Sequence, residues 1–170
     1  MTGTKPAAAR PMPTKDAISM LKEDHVKIKK QLEELASIGD RGVKRRREVL
    51  RVVKALLETH TALEEEMFYP AFQAAAHPRD DQKMFYEAVE EHHAAKLVLA
   101  DVESADPSTP NFAGKAKVLK ELVLHHAKEE EQDMFPEARK YIPKEELRAL
   151  AERMQERRRE LLEGQDRAAE

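Results

Sequence analysis

From Thr14 onward the apolar residues recur three and four positions apart, the stripe by which an α-helix buries one face. Breaks divide the stripe into five predicted helices. The first is capped by Thr14 or Asp16 and runs to about Ile38, where Gly39 and Gly42 stop it. The second spans about Val43 to Ala76, with a bend expected at Pro70 and an end at His77-Pro78. The third covers about Asp80 to Ser104 and ends at Asp106-Pro107, in a loop continuing through Pro110. The fourth runs from about Asn111 to Tyr141 with Pro136 as an internal breaker, and the fifth starts at Pro143 and ends near Gly164. Short connections leave the first four helices only adjacent antiparallel packing. The predicted fold class is therefore all-α, an up-down-up-down four-helix bundle over residues 14–141, with an additional C-terminal amphipathic helix and tail over 142–170 and a disordered N-terminal tail over 1–13.

The seam is apolar in each of the four bundle helices except for one histidine near its middle. The series are Ile18, Leu21, His25, Ile28, Leu32 and Leu35; Val49, Val53, Leu56, His60, then Leu63 or Glu64, then Met67; Phe85, Val89, His92, Ala95, Leu99 and Val102; and Leu119, Leu122, His126, then Glu129 or Glu130. One histidine on an apolar face is ordinarily a hydrogen-bonded core residue. Four imidazoles with two carboxylates in one small core would each carry a desolvation cost, and a metal site relieves those costs together.

The chain also repeats itself. His60-Thr-Ala-Leu-Glu64-Glu-Glu-Met-Phe-Tyr-Pro70 returns 66 residues later as His126-Ala-Lys-Glu-Glu130-Glu-Gln-Asp-Met-Phe-Pro136, and Glu23-Asp24-His25 returns 67 residues later as Glu90-Glu91-His92. Two similar hairpins thus each supply a lone histidine and a His-x-x-x-Glu pair, whose spacing of four puts both side chains on one face, able to ligate one metal or bridge two. Ferritin-like di-iron bundles use Glu-x-x-His instead. Four nitrogens and two carboxylates exceed one tetrahedral zinc site and suit two ions, iron first, manganese next and zinc after them. Two six-coordinate ions offer about twelve positions, so about two would stay open for dioxygen, peroxide or nitric oxide.

Composition narrows the chemistry to these side chains. The chain of 170 residues has no cysteine and seven histidines, which removes disulfides, zinc fingers and thiolate catalysis. Its 30 basic and 33 acidic residues are near balance, which argues against a strongly basic nucleic-acid protein. No stretch has the roughly 20 apolar residues of a membrane helix, and the N-terminus lacks a signal peptide's apolar run. A cytoplasmic protein with neither nucleic-acid nor membrane partners is the expectation.

Asp24-His25, His60-x-x-x-Glu64-Glu-Glu-Met-Phe-Tyr-Pro70, Glu91-His92-His93 and His126-x-x-x-Glu130-Glu131 with Phe135-Pro136 resemble the bacterial hemerythrin-like, or HHE cation-binding, domain over about residues 16 to 141. The resemblance implies a four-helix bundle with a non-haem di-iron centre bridged by carboxylates and an oxygen atom. By position, His25, His60, Glu64, His92, His126 and Glu130 match the family's metal ligands. The oxygen-carrying hemerythrins of invertebrates have a further histidine four residues after the third-helix ligand, where this chain has Lys96, or Leu97 if His93 is the ligand. They also pair the last histidine with an aspartate where Glu131 stands. One nitrogen fewer implies a more open centre, suited to reaction or sensing. Family members of this type are implicated in responses to oxygen, peroxide, nitric oxide and iron. A non-haem di-iron protein binding or reacting with dioxygen, peroxide or nitric oxide is the leading reading, with catalase-like peroxide decomposition as one reaction that metal redox would supply; an oxygen, iron or redox sensor, or a reversible oxygen binder, is the alternative. A purely structural bundle with zinc is the third.

Other residues carry weaker expectations. In the doublets His92-His93 and His125-His126 only one neighbour can face the seam; periodicity selects His92 and the repeat register His126. His77 reads as a capping or surface residue. Asp24 and Glu91 are either solvated or hydrogen-bonded behind a histidine, and Tyr69 and Tyr86 read as core packing, with lining the site as the alternative. Lys44-Arg-Arg-Arg47 and Arg157-Arg-Arg159 read as solvated faces. The fifth helix, with Leu147, Leu150, Ala151, Met154, Leu161 and Leu162, either packs across the bundle or makes a homodimer contact.

Overall fold

Asp16 opens the first helix: its Oδ1 accepts the Ser19 amide at 2.8 Å, satisfying a donor that a helix start leaves over. The computed structural model describes residues 15–75 and 79–169, so the expectations for the 1–13 tail and for His77-Pro78 lie outside it. In chain order the helices are α1 (Ala17–Ser37), α2 (Val43–Leu63), α3 (Tyr69–Ala75), α4 (Arg79–Ser104), α5 (Pro110–Glu129), α6 (Phe135–Tyr141) and α7 (Lys144–Ala169). Two five-residue π-turns, Glu64–Phe68 and Glu130–Met134, join α2 to α3 and α5 to α6. The described residues contain no strand, and α1, α2–α3, α4 and α5–α6 form the four legs of the bundle, with α7 packed across α1, α2 and the first π-turn. None of these helices is long and apolar enough to cross a membrane.

Neither Pro70, the expected bend, nor Pro136, the expected internal breaker, ends its leg. A proline cannot donate to the carbonyl four residues back, and its ring clashes with that carbonyl. Immediately before each proline the backbone widens: Tyr69 N–H bonds the Glu64 carbonyl and Phe135 N–H bonds the Glu130 carbonyl, each spanning five residues. The wider turn takes up the ring, and both legs continue through Pro70 and Pro136. Pro110, expected in a loop, lies in the first turn of α5, where a missing N–H costs nothing, behind a Thr109 cap. The fifth helix continues through Gly164 to Ala169.

The interior is two apolar clusters. One gathers Ile18, Leu21, Leu63, Phe68, Tyr69, Phe72 and Phe135 with Leu147, Leu150, Ala151 and Met154 of α7. The other gathers Ile28, Leu32, Leu35, Val49, Val53, Leu57, Leu99, Phe112 and Leu119. In α2 the seam passes through buried Leu57, with Leu56 beside it half-buried, and in α5 through buried Val123, with Leu122 half-buried. Leu147, Leu150, Ala151 and Met154 of the α7 stripe thus pack across the bundle, while Leu162 is exposed.

The arginine runs are not simply solvated. Arg46 is 2% exposed; its guanidinium donates to the Ile38 and Pro107 carbonyls and to Asp40, and stacks over Phe112. It clamps the α1–α2 connection to the loop before α5.

Asp16 also accepts two hydrogen bonds from Arg139, at 2.7 and 3.2 Å, tying the start of α1 to α6. Burial works to raise its carboxyl, but Arg139 and Ser19 outweigh that and hold it below the ordinary 3.8. A depressed carboxyl contributes stability above its unfolded pKa and loses it as pH falls through the folded one. Asp16→Ala is therefore expected to cost about 1 kcal/mol near pH 7. In urea unfolding the gap to the parent chain should shrink at pH 3; an equal gap at both pH values would rule out a charged cap.

Candidate metal centre

Between the two apolar clusters lies a buried belt of six polar side chains, one from each of six helical positions. His25 comes from α1, His60 from the end of α2, His92 from the middle of α4 and His126 from α5; Glu64 and Glu130 open the two π-turns. All six are at most 6% exposed. The structure therefore brings together every residue that the pattern and the resemblance picked out. It also separates the doublets: His93 and His125 are exposed, as is Glu129, while His92, His126 and Glu130 are buried.

The nitrogens face each other in pairs. His25 Nε2 is 3.1 Å from His60 Nε2, and His92 Nε2 is 2.9 Å from His126 Nε2. The carboxylates link the pairs. Glu64 Oε2 is 3.2 Å from His60 Nε2 and 3.3 Å from His92 Nε2, and Glu130 Oε2 is 3.1 Å from His25 Nε2 and 3.4 Å from His126 Nε2. Each carboxylate thus touches one histidine of each pair.

Behind the histidines stand more carboxylates. His25 Nδ1 is 2.8 Å from Glu131, His92 Nδ1 2.9 Å from Glu65 and His126 Nδ1 2.8 Å from Glu91. An ionised carboxylate can only accept, so Nδ1 carries a proton, and in the neutral ring Nε2 presents its lone pair inward. Glu91 is thus a hydrogen-bonded partner rather than a solvated residue, and Asp24, 6% exposed, lies 3.8 Å from His60 Nδ1. The partners of each ring come from other legs: Glu131 serves α1, Glu65 serves α4 and Glu91 serves α5.

Tyr69, expected as core packing, is fully buried but also belongs to the centre. Its hydroxyl donates to Glu130 Oε1 at 2.9 Å, and its ring stacks on His92. Tyr86 is 60% exposed and does neither. On the far side Phe135 stacks on His25 at 5.7 Å.

The donor set asks for cations. Inward lone pairs and carboxylate oxygens converge at about hydrogen-bond distance with too few protons between them. Both oxygens of Glu64 and Oε2 of Glu130 are buried without a hydrogen-bond partner. Burial and the Glu130 charge push the Glu64 carboxyl well up, and burial drives His60 down to about 4 despite Asp24. Burial likewise works to raise Glu130, but His126 and His25 outweigh it and hold it well below the usual carboxylate range. Two neighbours on one six-coordinate ion at about 2.1 Å stand about 3 Å apart, against about 3.4 Å on a tetrahedral one. The nitrogen pairs at 2.9 and 3.1 Å match the former. The residues present fit bound metal: His25, His60, Glu64 and Glu130 gather as one donor group, and Glu64, His92 and His126 as a second.

A cavity of about 20 Å³, room for about one water-sized molecule, touches all four histidines and is walled by Ile28, Leu57, Ala95, Val123 and Leu124.

Known proteins share this framework. A hemerythrin HHE cation binding domain-containing protein from Mycobacterium kansasii has a crystal structure that superposes with a TM-score of 0.75 at 27% identity, over 87% of this chain and 88% of that one. A DNA nickase from Nostoc sp. is 25% identical over 132 residues, 78% of this chain and 36% of that protein, so the chain spans about a third of that relative's length. The family profile described as Hemerythrin HHE cation binding domain matches residues 16–138, and the chain belongs to that family.

Proposed function

We propose that this chain is a non-haem di-iron protein that decomposes hydrogen peroxide at a centre held by His25, His60, His92, His126, Glu64 and Glu130, with dioxygen and nitric oxide as further ligands of the same site. One observation carries the reading: two facing pairs of Nε2 atoms share two buried carboxylates whose Oε2 atoms have no hydrogen-bond partner. Iron bound there would supply redox chemistry and coordination positions open to a small ligand. The chain's own groups do the rest. Glu131, Glu65 and Glu91 fix the proton on Nδ1 of His25, His92 and His126 and so aim each Nε2 inward. Tyr69 O–H holds Glu130 in its shared orientation. The small cavity against all four histidines has room for about one water-sized guest. Octahedral spacing and a mixed nitrogen–carboxylate set favour iron, then manganese, over zinc.

The test combines metal analysis after iron-replete expression with an oxygen electrode. About two irons per chain are expected, and peroxide added to the loaded protein should release one O₂ for every two H₂O₂ consumed, with two waters formed. Chelator-treated protein should release none. Iron well below two per chain would sink the centre; two irons without iron-dependent oxygen release would sink the peroxide reaction and leave ligand binding, seen as visible bands that come and go with oxygen.

A further inference from the structure

Helix α7 lies beyond the family match at residues 16–138, yet two of its arginines reach the surroundings of the centre. Arg157 grips Glu66 of the first π-turn, with Nε to Oε2 at 2.7 Å and Nη2 to Oε1 at 3.2 Å. Arg158 grips Asp24 with both terminal nitrogens, Nη1 to Oδ1 at 3.2 Å and Nη2 to Oδ2 closer still.

That second grip coincides with the one departure from the pattern behind the histidines. Three rings have a carboxylate within 2.9 Å of Nδ1. His60 Nδ1 is buried and without a hydrogen-bond partner; Asp24 Oδ2 stands 3.8 Å away, too far to bond. The oxygens of Asp24 go instead to Arg158 and, at 3.5 Å, to Lys27. An imidazole whose N–H is held by a carboxylate is a more basic and better oriented ligand than one left alone. Without Arg158, Asp24 would be a buried carboxylate short of donors, and the nearest buried donor is His60 Nδ1–H.

We infer that Arg158 is a positioning residue that withholds Asp24 from His60, so that α7 weakens the His25–His60 metal position relative to the His92–His126 position. The inference rests on the two-metal centre proposed above. It makes the centre unequal by design of its outer helix, and it gives α7 a means of setting how tightly one of two ions is held.

The probe is Co²⁺, titrated into the full chain after metal removal and followed by its visible d–d absorption. The parent chain should bind two ions with two distinct affinities. Arg158→Gln should tighten the weaker one by about tenfold, and should do nothing when Asp24 is already alanine, since the effect passes through that carboxylate. Arg158→Met, which keeps the aliphatic stem against the bundle, should tighten it likewise if the glutamine variant proves unstable. Arg158→Lys, which keeps the charge beside Asp24, should stay near the parent. Equal affinities in the parent, or unchanged or weaker binding in both Arg158→Gln and Arg158→Met, would overturn the inference. Fewer than two Co²⁺ in the parent chain would instead overturn the centre itself.

Discussion

Glu64→Gln is expected to abolish both metal positions together while stabilising the metal-free chain. The shared oxygen of Glu64 stands 3.2 Å from His60 Nε2 and 3.3 Å from His92 Nε2, so the substitution removes one ligand from each ion and a full negative charge from between them. Replacing a residue behind a ligand costs about 10–100-fold in affinity, and loss of a ligand common to both ions should exceed about 100-fold. The metal-free chain moves the opposite way. Glu64 is fully buried and neither oxygen has a hydrogen-bond partner. A neutral amide avoids the cost of burying that carboxyl and offers two N–H donors to the facing imidazole lone pairs, a gain of about 1–3 kcal/mol. Metal content after iron-replete expression and thermal melts with chelator read the two effects separately. A variant that still carries two irons would show that Glu64 is not shared.

Phe135→Ala should be the most damaging single truncation near the centre, at about 3–5 kcal/mol. The ring is 1% exposed, lies parallel to His25 at 5.7 Å and meets Phe68 edge-on at 5.4 Å. Its removal opens a cavity where α6, the first π-turn and α1 meet, and it frees His25 on the face opposite the small apolar cavity. Urea unfolding of the metal-free chain isolates the packing term; Phe85→Ala, a half-buried ring on α4, is the comparison and should cost less. Equal losses would mean that the interior around His25 is loosely packed.

Most of the centre is legible in the chain because it is an interruption of a strong pattern. A histidine in the middle of each apolar seam marks its own position, and the 66-residue repeat selects His126 and Glu130 over His125 and Glu129 without coordinates. What stayed hidden is what depends on contacts between legs. Glu65, Glu91 and Glu131 sit beside ligands in sequence but serve rings on other helices, Asp24 goes to Arg158 on α7, and a charged residue next to a histidine looks the same whether it meets water or an imidazole. Tyr69 carries no mark beyond its place before a proline, since its partner Glu130 is 61 residues away. The π-turns are equally silent, because a widened turn uses ordinary helical residues; Pro70 and Pro136 announce a disturbance but not its form. In Arg157-Arg-Arg159 the composition of a solvated face concealed two directed ion pairs.

The polar belt also divides the interior, with the Phe68–Phe135–Met154 cluster on one side and the Leu32–Val53–Leu119 cluster on the other. Every leg crosses the belt, and both oxygens of Glu64 and Oε2 of Glu130 are buried there without a hydrogen-bond partner, so the two halves are expected to couple most weakly at that level in the metal-free chain. Ions bound at the proposed centre would tie all four legs together at that level. Occupancy would then govern more than chemistry: it would decide whether heat or denaturant encounters one folded body or two.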